Sequence, residues 1–140
     1  MALITTRDPR DLERLTIQAQ HESRSALFTE IATEVGRLLP STGVILETEE
    51  FTLEADSLPE LLSVLLEYIQ AALEDGLVYK LWDMSASFVM PDNTHRLYVT
   101  THIEEASMMA NFDIIATKFY VTGSMVNSLD KAEIILRMPC

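Results

Sequence analysis

LVYKLWDMSASFVMPDNTHRLYVTTHIEE, residues 77–105, is the stretch whose reading decides the fold. Apolar and polar side chains alternate on both sides of Pro91-Asp92-Asn93-Thr94, four residues suited to a tight turn. A period of two belongs to strands, where successive side chains point to opposite faces. The stretch therefore reads as an antiparallel hairpin. A four-residue loop over Pro91–Thr94 sets Met90 against His95. The pairs Phe88–Leu97, Ala86–Val99, Met84–Thr101 and Trp82–Ile103 follow. A slip of one residue would turn the whole apolar row to the other face.

Two more period-two segments follow, Phe112 to Thr122 and a shorter one, Ala132 to Met138. Pairing the first with the hairpin, Ile103 against Ile115, continues the apolar row. It predicts Trp82, Met84, Ala86, Phe88, Leu97, Val99, Ile103, Ile115, Phe119 and Val121 buried on one face. In that register Tyr98 faces Tyr120 and Asp83 faces His102 across the opposite face. This second face is aromatic, rich in threonine and lightly charged, a composition common in interfaces. Tyr79, Leu81, Tyr98, Thr100, Ile114, Lys118 and Tyr120 are its candidate contact residues. The plainer reading is an ordinary exposed sheet face, where tyrosine and threonine are favoured for strand propensity.

Working towards the N-terminus, Gly76 is a stop signal for a helix over residues 57–75. Ser57 and Glu60 have the spacing of a capping box at its start. Leu58, Leu61, Leu62, Leu65, Leu66, Ile69 and Leu73 make this helix apolar nearly all round, so it must be covered on more than one side. Val44 to Ala55 reads as one strand or a tight hairpin. Asp8-Pro9 resembles a helix start, and Pro40 a stop, giving a long helix over 8–39. Such a helix would span about 45 Å, more than a single domain of this size, about 30 Å across, can cover. The expected fold is one α+β domain over 1–140. Two helices pack on one face of a mainly antiparallel sheet of four or five strands, with order α-β-α-β-β-β(-β) and residues 77–138 supplying the strands.

The charge is lopsided. Residues 1–40 hold six acids against five arginines, and the rest holds 16 acids against five bases, within a net charge of −12. No basic residue lies between Arg37 and Lys80, where Glu47, Glu49, Glu50, Glu54, Asp56, Glu60, Glu67, Glu74 and Asp75 fall. Such a surface repels phosphate backbones, which argues against direct binding of nucleic acid. Glu47, Glu49, Glu50 and Glu54 form a candidate acidic face for a basic protein partner; the plainer reading is solubility. The longest apolar stretch, Leu61 to Leu73, is interrupted by Ser63, Glu67 and Gln70, so no membrane span is expected. Residues 1–6 carry no run of signal-peptide length, and the single cysteine, Cys140, allows no internal disulfide. The expected setting is the cytoplasm or a virus particle.

Catalytic and metal chemistry find no motif. His95 and His102 are seven apart, so a strand points them to opposite faces. His102-Ile103-Glu104 matches the first half of a zinc deaminase signature, but Pro139-Cys140 cannot complete it. Gly123-Ser124 lacks the second glycine of a nucleophile elbow. Asp83 and His102, if cross-strand neighbours, could orient an imidazole for acid–base work. No catalytic residue, metal site or cofactor is assigned. The leading expectation is a non-enzymatic, self-associating structural or adaptor subunit, for example of a phage or other particle, and a homo-oligomer. The alternative is an acidic inhibitor that occupies a partner's nucleic-acid-binding surface, as anti-restriction and anti-CRISPR proteins do. A third is a small enzyme using the outer sheet face.

Overall fold

The structure is a computed structural model and describes residues 2–107, 111–123 and 128–138. Its elements are β1 (Ala2–Asp8), β2 (Asp11–His21), α1 (Arg24–Leu38), β3 (Ser41–Ala55), α2 (Leu58–Glu74), β4 (Leu77–Val89), β5 (Thr94–Ala106), β6 (Asp113–Gly123) and β7 (Ser128–Arg137). Ser124, Pro139 and Cys140 lie outside the described residues, as does the side chain of Val121. The α+β class and the two helices stand. Among the described residues the strands number seven, in two antiparallel sheets ordered β1-β2-β7-β6 and β3-β5-β4, rather than one sheet of four or five.

The largest correction falls on residues 8–39. Asp8-Pro9-Arg10-Asp11 is a hairpin turn, not a helix start: the Arg10 amide donates to the Asp8 carboxylate at 2.8 Å. The same short side chain that caps a helix also closes a turn of this kind. Leu15, Ile17 and Ala19 then alternate with Thr16, Gln18 and Gln20, and only the first set is buried. The period is two, so β2 is a strand. α1 begins after Ser23, whose hydroxyl accepts from the Ala26 amide, and ends before Pro40. With 15 residues it is about 22 Å long. The overlong helix does not exist.

α2 keeps its expected bounds to within a residue, with Ser57 Oγ accepting from the Glu60 amide at 3.3 Å. Its all-round apolar surface is covered by β3, β4 and β5 on one side and β6 on the other. α1 likewise touches β4 of one sheet and β2 and β7 of the other. Both helices thus lie between the sheets, and one core joins Leu15, Ile17, Phe28, Ile31, Leu62, Leu65, Leu97 and Ile134. Arg24 locks α1 to β7 through both oxygens of the buried Asp130, at 3.0 and 3.3 Å.

The β4–β5 hairpin forms, but two residues out of the expected register: Phe88 faces His95, Ala86 faces Leu97, Met84 faces Val99 and Trp82 faces Thr101. The loop is residues 90–93, because Thr94 joins the strand. Moving a four-residue loop by one position moves the pairing by two, so the faces survive. The expected β5–β6 pairing is absent. Both edges of β5 are taken, by β3 and β4, and β6 pairs with β7. Of the expected buried row, Met84, Leu97, Val99 and Ile103 are buried, and Trp82, Ala86 and Phe119 are half-buried against the core. Phe88 is 50% exposed, its ring against that of His95, and Ile115 is 42% exposed. A register shift between Ile114 and Ala116 turns Ile115 out and Ile114 in.

Candidate functional site

The outer face of the three-stranded sheet gathers the largest share of the residues marked in the sequence. Cross-strand rows run over it from β3 through β5 to β4: Thr48–His102–Leu81, Glu50–Thr100–Asp83, Thr52–Tyr98–Ser85 and Glu54–Arg96–Ser87. β3 is a single 15-residue strand, which settles the choice between strand and hairpin. The middle rows line an open depression of about 410 Å³, with Glu50, Thr52, Asp83, Ser85, Tyr98 and Thr100 around it. Arg96 donates to Glu54 at 2.6 Å and to the Tyr98 hydroxyl at 3.2 Å. Its guanidinium also lies 5.9 Å from the centre of the Tyr98 ring. This brace holds the Tyr98 ring while leaving it 45% exposed.

Leu81, Tyr98 and Thr100 therefore share one face, together with Glu50 and Glu54. Tyr79 does not join them. A register shift between Tyr79 and Leu81 inserts Lys80 as a bulge and turns Tyr79 inward, 4% exposed. Ile114 is turned in by the bulge in β6, and Lys118 and Tyr120 are exposed on β6 of the other sheet. The expected Tyr98–Tyr120 pair is not formed. Nor is Asp83–His102: Asp83 faces Thr100, and His102 lies beside Thr48, whose hydroxyl is 3.4 Å from Nδ1. The two are diagonal neighbours, a separation of about 7–8 Å between strands, so no acid–base dyad results.

The acidic face is also divided. Glu50 and Glu54 point outward, whereas Glu47 and Glu49 stand opposite Ile103 and Thr101 on the inner side. Glu49 accepts from the Tyr68 hydroxyl at 2.7 Å and the Tyr79 hydroxyl at 3.5 Å. These tyrosines belong to an aromatic stack that the sequence did not announce. Phe51 lies 4.1 Å from Tyr68, Tyr68 lies 5.7 Å from Tyr79, and Tyr79 meets Trp82 edge-on at 5.4 Å. Burial, with Tyr68 and Glu49 alongside, pushes the Tyr79 phenol far above its ordinary range, and burial with Glu49 raises that of Tyr68. Both remain neutral donors. The stack depends on the Lys80 bulge, for which the sequence carries no signal.

Among the described residues, no group of three or more His, Cys, Asp or Glu side chains is placed to hold a metal ion. No described helix is long and apolar enough to cross a membrane. The arrangement offers a braced tyrosine, a row of hydroxyls, the carboxylates of Glu50 and Asp83 and flanking apolar residues.

No family model matches the chain, and no curated protein matches it. Among solved structures, it is similar to protein 1598 of Methanobacterium thermoautotrophicum, known from a solution structure. The two superpose with a TM-score of 0.64 at 15% identity, over 96% of this chain and 97% of the other. At that identity the likeness shows a shared fold: both chains carry this arrangement of helices and sheets across nearly their whole lengths.

Proposed function

We propose that the chain is a non-enzymatic, self-associating structural or adaptor subunit that works through protein–protein contacts of its three-stranded sheet. One observation supports it above others. Of twelve exposed large apolar side chains among the described residues, seven belong to that sheet or its β4–β5 turn: Val44, Ile45, Leu46, Leu81, Phe88, Met90 and Tyr98. Exposed apolar side chains concentrated on one sheet support a contact region there. Such a subunit fits the cytoplasm or a virus particle, with a second copy as first partner and a basic protein as a further one. The acidic-inhibitor reading has less to stand on. Glu54 is paired with Arg96, Glu49 is bound to tyrosine hydroxyls, and the strand acids divide between two faces.

The test is solution mass for the wild type and two variants. Leu46→Glu/Leu81→Glu/Tyr98→Glu changes only exposed positions of the three-stranded sheet, and Ile4→Glu/Tyr120→Glu changes exposed positions of the other. Wild type and the double variant are expected above monomer mass, and the triple variant at monomer mass with an unchanged melting temperature. A monomeric wild type, or a triple variant that still associates, contradicts the reading.

A further inference from the structure

We propose that the contact is made by the first half of β3, which pairs antiparallel with the same segment of a second copy about a two-fold axis at Ile45. This rests on the self-association reading and goes beyond it by naming the residues and their register. β3 is an edge strand: among the described residues, β5 is its only neighbour in the sheet. Residues 42–48 are all exposed, on both faces of the strand. Val44, Ile45 and Leu46, three successive apolar side chains, are 51%, 62% and 51% exposed. The ladder to β5 is irregular at this point, with register shifts between Ser41 and Ile45 and between Ile45 and Glu47. Bulges of this kind add twist and loosen a strand from its own sheet.

An open apolar edge invites a further strand unless charge, proline, a covering segment or a bulge that twists it away blunts it, and of these the first half of β3 carries the register shifts alone. From Thr42 to Leu46 there is neither charge nor proline. The sequence decides which strand fits. With Ile45 opposite Ile45, Val44 meets Leu46, Thr42 meets Thr48 and Glu47 meets Gly43. Every large apolar residue finds an apolar partner, threonine finds threonine, and no glutamate opposes another. The two Glu47 residues then lie about 14 Å apart by strand geometry, beyond the screening length of about 8 Å at physiological salt. Other centres do worse. A centre at Leu46 sets Ile45 against Glu47, and one at Glu47 sets glutamate against glutamate. A centre at Val44 sets Leu46 against Thr42 and Ile45 against Gly43, leaving both large apolar residues without an apolar partner. The two-fold contact is self-complementary, as an isologous dimer requires, and joins the two sheets into one of six strands, β4-β5-β3-β3-β5-β4.

The test is disulfide trapping in a Cys140→Ser background, with Ile45→Cys compared with Glu47→Cys under mild oxidation. Strand neighbours directly opposite each other lie within disulfide reach, and residues four positions off do not. The proposal expects Ile45→Cys to become a covalent dimer and Glu47→Cys to stay reducible-monomer in size. It also expects a mixture of Val44→Cys and Leu46→Cys to give the mixed dimer, identified by mass. In the native-cysteine chain, Ile45→Lys should weaken self-association by about tenfold or more with an unchanged melting temperature, since Ile45 is exposed. If Ile45→Cys does not cross-link while the wild type still associates and the triple variant above does not, the register is overturned and the self-association reading survives. A wild type that stays monomeric overturns both.

Discussion

Gly36 shows how closely α1 approaches β4. A Cβ at this position would stand 2.7 Å from the carbonyl oxygen of Tyr79, a backbone atom with little room to give. Gly36→Ala should therefore cost about 1–3 kcal/mol as an overpacking substitution, measured by denaturant unfolding; an unchanged midpoint would contradict this packing. Tyr68 and Tyr79 give a pH signature. Their phenols titrate near 10 when unfolded and higher when folded, chiefly through burial. Above pH 10 the unfolded state binds fewer protons, so their stabilisation is fully present below that pH and lost progressively as pH rises from there towards the raised folded values. Between about pH 9 and about pH 11, the wild-type melting temperature should fall more steeply than that of Tyr68→Phe/Tyr79→Phe. Equal slopes would contradict the buried, neutral phenols. Lys80, whose ammonium burial pushes below its ordinary value, works in the opposite direction but equally in both proteins. Phe88, at 50% exposure, is a smaller test of the core than its place in the apolar pattern implied.

The Lys80 bulge links two elements. Its ammonium donates to the carbonyl oxygens of Gly36 and Leu39 at the C-terminal end of α1, where the Gly36 oxygen also accepts from the Leu39 amide at 3.3 Å. A cation there also suits the negative end of the helix. Lys80→Met keeps the aliphatic stem and removes both bonds, and should destabilise by about 1–3 kcal/mol, read from denaturant melts. A neutral outcome would mean that the bulge is held by β4 alone. This device also marks how far elements were legible. α2 was readable to within a residue, because Ser57, Glu60 and Gly76 signal its ends and its apolar surface has helical period. The β4–β5 hairpin was readable in its faces but not its register, because Pro91 to Asn93 fits a loop starting at residue 90 as well as at 91. β2 was misread because Asp8-Pro9 serves a turn and a helix start equally, and Leu12, Leu15 and Ala19 also fall at helical spacings. The bulges at Lys80 and between Ile114 and Ala116, which decide where Tyr79 and Ile114 point, leave no mark in composition or spacing.

At the scale of the whole molecule, acidic and exposed apolar side chains meet on the outer face of the three-stranded sheet, where Glu50 and Glu54 stand near Leu81 and Tyr98. The longest run of exposed apolar residues, Val44 to Leu46, lies before the first glutamate of β3. The candidate contact face was partly legible: Leu81, Tyr98 and Thr100 do share one surface. The partition into two sheets was not, since it depends on β3 capturing the free edge of β5, a long-range choice that local pattern does not encode. With a net charge of −12, two copies repel at long range, and added salt screens that repulsion more than it affects apolar strand pairing. The most direct measurement is therefore the mass of the wild-type chain by light scattering over a range of concentration, at low and moderate ionic strength. Self-association through the three-stranded sheet predicts a mass above that of the monomer that rises with concentration and is larger at moderate salt. A mass that stays at 15.8 kDa across every concentration and both salts would contradict it.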